Sequence, residues 1–218
     1  MREKIIVMGG SFNPPTIAHL RLMQAALDQL SEVTPDECVK GVFVPSSEAY
    51  VRRKMNRLPT GTDQTVLSEA TRLDMLRSFQ KQDDRLFADG RELGTTAVKG
   101  HTIDTLNAIQ QENSEAEIFF IFGGDKLQGL SRWGSYEALA SHYKIIVFGR
   151  NGIDVKRIIQ QDPALARHAD AFVILNVPDG LEGISSSAVR ERLSRGECVD
   201  DLITPEVSAI LTARNGND

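Results

Sequence analysis

Apolar residues fall in two rhythms along this chain, short unbroken runs and three-to-four-residue spacings, and the two alternate from end to end. Lys4-Ile5-Ile6-Val7-Met8 is a run rich in β-branched residues and predicts a buried strand. Ile17, Leu20, Met23, Leu27 and Leu30 then recur at helical spacing and predict an amphipathic helix. Val39 to Pro45 predicts a second strand, and Leu86-Phe87-Ala88 a short one. Between them, Ser68 to Gln80 carries Ala70, Leu73, Leu76 and Phe79 at helical spacing. Thr102 is placed to cap a helix through Leu106 and Ile109, with Asp104 favourable in its first turn. Ile118 to Phe122 is the strongest buried run, followed by strands at Lys144 to Phe148 and Phe172 to Asn176. Helices are expected at Val155 to Gln161, Pro163 to Ala169, Ser186 to Arg195 and Pro205 to Arg214, Pro205 suiting a first helical position.

Strands alternating with helices predict a parallel, doubly wound Rossmann-like α/β sheet. One domain is expected over residues 1–218, with its core at 4–195 and a helical end at 196–218. Ligands of such sheets bind beyond the carboxyl ends of the strands. Gly9–Asn13, Ser46–Lys54 and Gly123–Asp125 all follow predicted strands, so they are expected to converge on one crevice. Ser46 to Gln64 is polar and reads as irregular, too long for a casual connection and therefore a functional loop.

Composition narrows the class. A hydrophobic content of 41% and a charged content of 25% are those of an ordinary soluble protein. No run approaches the roughly eighteen apolar residues of a membrane span. Two cysteines, Cys38 and Cys198, make neither a disulfide framework nor a metal cluster, which fits a cytoplasmic protein. The net charge of −5 argues against a general nucleic-acid binder. Against it, Arg52-Arg53-Lys54 with Arg57 concentrates positive charge, either as a solvated loop or as a mobile one that meets phosphates.

The densest chemistry lies where the first strand turns into the first helix. Gly9 and Gly10 allow close backbone approach to a ligand, and a helix N-terminus offers N–H groups to an anion. Thr16 and His19 are three apart, so a hydroxyl and an imidazole can flank one phosphate.

Gly9-Gly10-Ser11-Phe12-Asn13-Pro14-Pro15-Thr16-Ile17-Ala18-His19 resembles the signature of nucleotidylyltransferases, above all the nicotinate/nicotinamide mononucleotide adenylyltransferases. Their (His/Thr)-x-x-His stands here as Thr16-Ile17-Ala18-His19. Ile184-Ser185-Ser186-Ser187-Ala188-Val189-Arg190 resembles the same family's second motif, Ile-Ser-Ser-(Thr/Ser)-x-x-Arg. Serines at a helix start and an arginine one turn on are donors suited to phosphate oxygens. Gly123-Gly124-Asp125 resembles the family's Gly-(Ala/Gly)-Asp, which implies adenosine contact; a helix cap is the alternative for Asp125. Trp133 matches a family tryptophan that stacks on the pyridine ring, unless it is structural. His101-Thr102-Ile103-Asp104-Thr105-Leu106 resembles the bacterial Tyr-Thr-x-Asp-Thr-Leu, placing Thr102 by the pyridine substituent, with His101 where tyrosine is usual. Ala49-Tyr50-Val51-Arg52-Arg53-Lys54 resembles a eukaryotic-type substrate loop and makes Lys54 a phosphate contact. His142 and His168 have no motif around them and read as structural or surface residues.

The resemblance covers Ile5 to Leu193 and implies transfer of AMP from ATP to nicotinate or nicotinamide mononucleotide, with release of pyrophosphate. Thr16, His19 and Arg190 are the candidate catalytic residues. Gly9, Gly10, Ser11, Phe12, Gly123, Asp125, Ser185, Ser186 and Ser187 are expected at ATP, and Lys54, Thr102 and Trp133 at the mononucleotide. Mg2+ is expected on the leaving pyrophosphate, held by ATP and water rather than by a protein cage. No nucleophile–base set points to a covalent intermediate. Two rival readings are a nucleotidylyltransferase for a phosphopantetheine-like or cytidylyl substrate, and a nucleotide-sensing module without turnover.

Overall fold

The computed structural model describes residues 3–35, 37–58, 65–94, 101–149 and 154–215, with the backbone alone described at Asp125, Arg214 and Asn215. In chain order the elements are β1 (Glu3–Gly10), α1 (Ile17–Val33), β2 (Cys38–Pro45), α2 (Glu48–Met55), α3 (Glu69–Arg77) and β3 (Leu86–Ala88). They continue with α4 (Thr102–Glu112), β4 (Glu117–Phe122), α5 (Leu127–Leu130), α6 (Tyr136–His142) and β5 (Lys144–Gly149). The last are α7 (Val155–Gln161), α8 (Pro163–Arg167), β6 (Phe172–Asn176), α9 (Ser186–Ser194) and α10 (Pro205–Asn215). The six strands form one sheet in the order β3-β2-β1-β4-β5-β6. β1, β4, β5 and β6 pair in parallel, with Ile5 opposite Ile118, Phe120 opposite Ile145 and Ile146 opposite Val173. Successive strands leave β1 first on one side and then on the other, which is the expected Rossmann-like order. No helix among the described residues is long and apolar enough to cross a membrane.

The chain groups into two compact units. One comprises residues 1–8, 23–41 and 101–178. Its core is Ile5–Val7 of β1, Ile118–Phe122 of β4 and Ile145–Phe148 of β5, with Leu106 and Ile109 of α4. These strands are continuous apolar runs because a parallel sheet is covered on both faces. Asp162 joins two helices here: its carboxylate accepts from Ala164 and Leu165 N–H at the start of α8, and from the Ser131 hydroxyl at 2.6 Å. His168 Nε2 lies 2.7 Å from Glu137, and His142 Nδ1 donates to Ala138 O, so both histidines make local contacts.

The other unit comprises residues 9–22, 42–100 and 179–218. An aromatic file runs through it, Phe79 against Phe43 and Phe43 against Phe12, with ring centroids 5.4 and 5.8 Å apart and edge-on geometry.

Four expectations change. Residues 48–55 of the expected loop Ser46–Gln64 are the helix α2, because Ser47 caps it and Val51 and Met55, four apart, are buried. Residues 59–64 of that stretch lie outside the described ones. The buried stripe of α3 is Arg72, Met75 and Leu76, whereas Ala70 is exposed. Thr102 is the first residue of α4 and not its cap; His101 holds the cap position, with no side-chain hydrogen bond there. The helix predicted over Pro163–Ala169 ends at Arg167 and resumes as a 3-10 turn, Ala169–Ala171. Helix α6 has no counterpart in the sequence pattern, its seven residues being too few to set a period.

Candidate active site

β1 ends at Gly9 and Gly10, and the chain then makes a turn whose geometry is costly. Phe12 has φ 44°, in the left-handed region, where an L-residue costs on the order of 1–2 kcal/mol. The ring offsets this by being 2% exposed, edge-on to Phe43 and to His19; burying a phenylalanine contributes about 1.5–3 kcal/mol. A Cβ on Gly10 would sit 3.1 Å from that ring, so glycine here makes room for it. Phe12 therefore offers a ligand its backbone, not its aromatic face.

Four carbonyls of the turn are held by protein donors. Gly10 O accepts from Ser46 N at 2.8 Å, Ser11 O from Arg72 Nη1 at 2.9 Å, Asn13 O from Arg190 Nη1 at 2.8 Å and Pro14 O from Ser186 Oγ at 2.7 Å. In a trans peptide the N–H opposes the C=O. Turning the Gly10 and Ser11 carbonyls inward therefore aims the N–H groups of Ser11 and Phe12 the other way, as an anion-binding concavity requires. Asn13, 1% exposed, braces the turn from below: Nδ2 donates to Thr65 O and Oδ1 accepts from Leu67 N.

Thr16 immediately precedes α1, and His19 is its third residue. Thr16 N donates to His19 Nδ1 at 3.0 Å, and Thr16 Oγ1 lies 2.7 Å from the same nitrogen. This is a capping box built with imidazole in place of a carboxylate. Because Nδ1 accepts, the neutral ring carries its proton on Nε2. The motif pair thus delivers one oriented N–H donor.

α2 adds charge. Glu69 Oε1 accepts from Glu48 N at 2.7 Å and Oε2 from Gly94 N at 2.9 Å, fixing the helix start. Lys54, at the other end of α2, donates to Ser11 Oγ at 3.2 Å. Thus Gly9–Asn13 and Ser46–Lys54 come together as expected. Arg52 turns instead to Glu48.

The three serines of the second motif divide their work. Ser185 caps α9 by accepting from Ala188 N, Ser186 holds Pro14 O, and Ser187 Oγ accepts from Arg190 Nη2 at 3.3 Å. Arg190 is 6% exposed and directs Nη1 to Asn13 O and Ser186 O.

The remaining candidates belong to the other compact unit. Gly123 and Gly124 follow β4, and a Cβ on Gly124 would lie 2.6 Å from Phe148 O, so that glycine is required by packing against β5. The Asp125 carboxylate lies outside the described residues. Trp133 is 38% exposed, edge-on to Phe122 with centroids 5.2 Å apart, so one end is anchored while its surface remains accessible. Thr102 opens α4, whose cap residue His101 is exposed.

Among the described residues no group of three or more His, Cys, Asp or Glu side chains could hold a metal. Around the turn, the side chains are hydroxyls, imidazole, ammonium and guanidinium, which suit anionic oxygen. Sequence reasoning missed Arg72 and Glu69 and named Asn13 only as part of the motif; all three act from behind. The available signal was a charged residue, Arg72, at helical spacing with Met75, Leu76 and Phe79.

The cytidylyltransferase-like family profile matches residues 7–192, a span containing both motifs and all fifteen residues that the sequence nominates. The chain belongs to that family. Among its relatives, the "Probable nicotinate-nucleotide adenylyltransferase" of Shouchella clausii is 32% identical over 98% of this chain and 96% of its own. The nicotinamide/nicotinic acid mononucleotide adenylyltransferase 2 of Caenorhabditis elegans is 27% identical over 99% of this chain and 98% of its own. The nicotinic acid mononucleotide adenylyltransferase of Plasmodium falciparum, solved with NaAD, shares the fold at a TM-score of 0.66 and 19% identity. That alignment covers 99% of this chain and 97% of the other. The family resemblance and the fold read from the sequence both hold for this cytidylyltransferase-like chain, which is an adenylyltransferase by relationship.

Proposed function

We propose that the chain joins ATP to nicotinate or nicotinamide mononucleotide, releasing pyrophosphate and forming a dinucleotide of the NAD pathway. The observation that carries this reading is the turn at Gly9–Asn13, with its carbonyls held inward by Arg72 and Arg190 and its rim formed by Lys54 and His19. In the reaction a phosphate oxygen of the mononucleotide attacks the α-phosphorus of ATP. The bond from that phosphorus to the bridging oxygen breaks, and pyrophosphate leaves with the electron pair. The mononucleotide phosphate is already ionised at neutral pH, so alignment and charge stabilisation carry the rate.

His19, presenting its Nε2 proton, serves the α-phosphate, with Thr16 fixing the ring. The Ser11 and Phe12 N–H groups, next to Gly9 and Gly10, cradle the triphosphate. Ser185, Ser186 and Ser187 at the α9 start hold the β and γ groups, with the Arg190 charge behind them. Lys54 meets the mononucleotide phosphate, Gly123 and Asp125 the adenosine, and Thr102 and Trp133 the pyridine ring. Because the rim is cationic and hydroxyl-bearing, Mg2+ would be held by the phosphates of ATP and by water, and would shield charge on the leaving pyrophosphate. The profile match across both compact units supports one nucleotidylyltransferase domain. Two exposed free cysteines suit the cytoplasm. The test is pyrophosphate release from ATP with each mononucleotide offered separately. Turnover with CTP or a phosphopantetheine-like acceptor alone, or none with any acceptor, overturns the reading in favour of its rivals.

A further inference from the structure

Arg72 is a guanidinium with 0% exposure on the α3 face that packs inward. Nη1 donates to Ser11 O at 2.9 Å and Nε to Leu67 O at 3.2 Å, while buried Nη2 has no partner. Burial lowers its pKa from the usual guanidinium value, and Glu69 and Glu48 oppose that shift. Those two carboxylates are otherwise occupied: Glu69 accepts from two backbone N–H groups, and Glu48 Oε1 from Arg52. Among the described residues no carboxylate pairs directly with Arg72. A buried charge left in that state is costly, of the order of several kcal/mol before relaxation. A purely structural tie to two carbonyls could be made by neutral donors.

We infer that Arg72 is a positioning residue for phosphate: it turns the Ser11 carbonyl inward and supplies a fixed positive charge beneath the N–H groups of Ser11 and Phe12. Its partners are carbonyl oxygens, which orient the guanidinium without neutralising it. The positive end therefore remains available to an anion on the far side of the turn. The missing counter-charge arrives with the ligand. Lys54 and His19 lie at the rim and can exchange their contacts with solvent, whereas the Arg72 field is present before any ligand arrives.

This inference rests on the reading of the turn as a phosphate site, and the experiment separates the two. Binding of inorganic pyrophosphate and of adenosine is measured calorimetrically for the parent, Arg72→Lys and Arg72→Met. Parent protein that does not bind pyrophosphate overturns both readings. If the parent binds it, Arg72→Met is expected to weaken pyrophosphate by about tenfold or more, the scale of one charge-assisted contact. Adenosine affinity should stay within about twofold, since a neutral ligand does not sense the charge. Arg72→Lys, which keeps the charge but not the paired donors, should retain more pyrophosphate affinity than Arg72→Met and lose kcat. Should Arg72→Met fail to fold, Arg72→Lys decides alone: lower kcat with pyrophosphate affinity within about threefold of the parent supports the inference. Equal losses for adenosine and pyrophosphate, or no loss for either, overturn it while leaving the proposed function standing.

Discussion

Thr16 donates its backbone N–H to His19 Nδ1 at 3.0 Å, and its hydroxyl oxygen lies 2.7 Å from the same nitrogen. One residue therefore fixes both the ring orientation and the tautomer of the other. His19→Ala is expected to lower kcat by about 10²–10³ with little change in ATP affinity, the usual loss for one donor aimed at developing charge. Thr16→Val keeps the backbone donor and should cost less than His19→Ala. Steady-state rates and a direct ATP titration on both variants check this; a His19→Ala enzyme as fast as the parent removes the imidazole from the mechanism.

The positive cluster on α2 is expected to be unequal in function. Lys54 reaches Ser11 Oγ, whereas Arg52 is held by Glu48 one turn earlier on the same helix. Lys54→Ala should reduce kcat/KM by about tenfold or more, as loss of a charge-assisted phosphate contact does. Arg52→Ala should stay within about twofold, because an exposed i,i+4 pair contributes little. Comparable losses for the two would show that the cluster acts only through its summed charge.

Asp162 should make the fold acid-sensitive. The Ser131 hydroxyl first, and then Ala164 and Leu165 N–H, lower its pKa, with burial opposing. The folded pKa therefore lies below the unfolded one, and the native state binds fewer protons over that interval. Its contribution is full above the unfolded pKa and disappears as pH falls through the folded pKa. Asp162→Ala also removes the cap of α8, which costs about 1 kcal/mol. Thermal unfolding of parent and variant across acid pH should give Tm values that differ at neutrality and converge below the carboxylate range. A constant gap would assign the effect to packing instead.

Much of this architecture is legible in the sequence because parallel strands buried on both faces leave continuous apolar runs. Ile118–Phe122 and Lys144–Phe148 needed nothing else. The motifs were legible for a different reason: Thr16 and His19 interact within one helical turn, so spacing alone implies contact. What stayed hidden depends on distant partners. α2 looks like a loop because its caps are Ser47 and a Glu69 carboxylate twenty-one residues away. Arg72 was not singled out, because a guanidinium in a core stripe becomes sensible only once Ser11 O is seen against it. Phe12 and Arg190 stand in the two motifs, yet their side chains face inward, which periodicity in so short a turn cannot reveal.

The choice between acid and amide mononucleotide follows from α4. His101 stands at its cap without a side-chain hydrogen bond, so the helix start is not occupied by its own residue's acceptor. A helix N-terminus favours a carboxylate over a neutral amide by about 0.3–1 kcal/mol, or more where partly buried. Asp104 in the first turn works against this. Stacking on Trp133, whose edge packs against Phe122, would not discriminate between the two rings. The acid is therefore expected to be used at least as well as the amide, with the ratio of kcat/KM values rising in Asp104→Asn. Thr102→Val should narrow the ratio if its hydroxyl meets the pyridine substituent as proposed above. Measuring kcat/KM for both mononucleotides at neutral pH in parent and variants decides the matter. A clear preference of the parent for the amide would show that the helix start does not face the substituent.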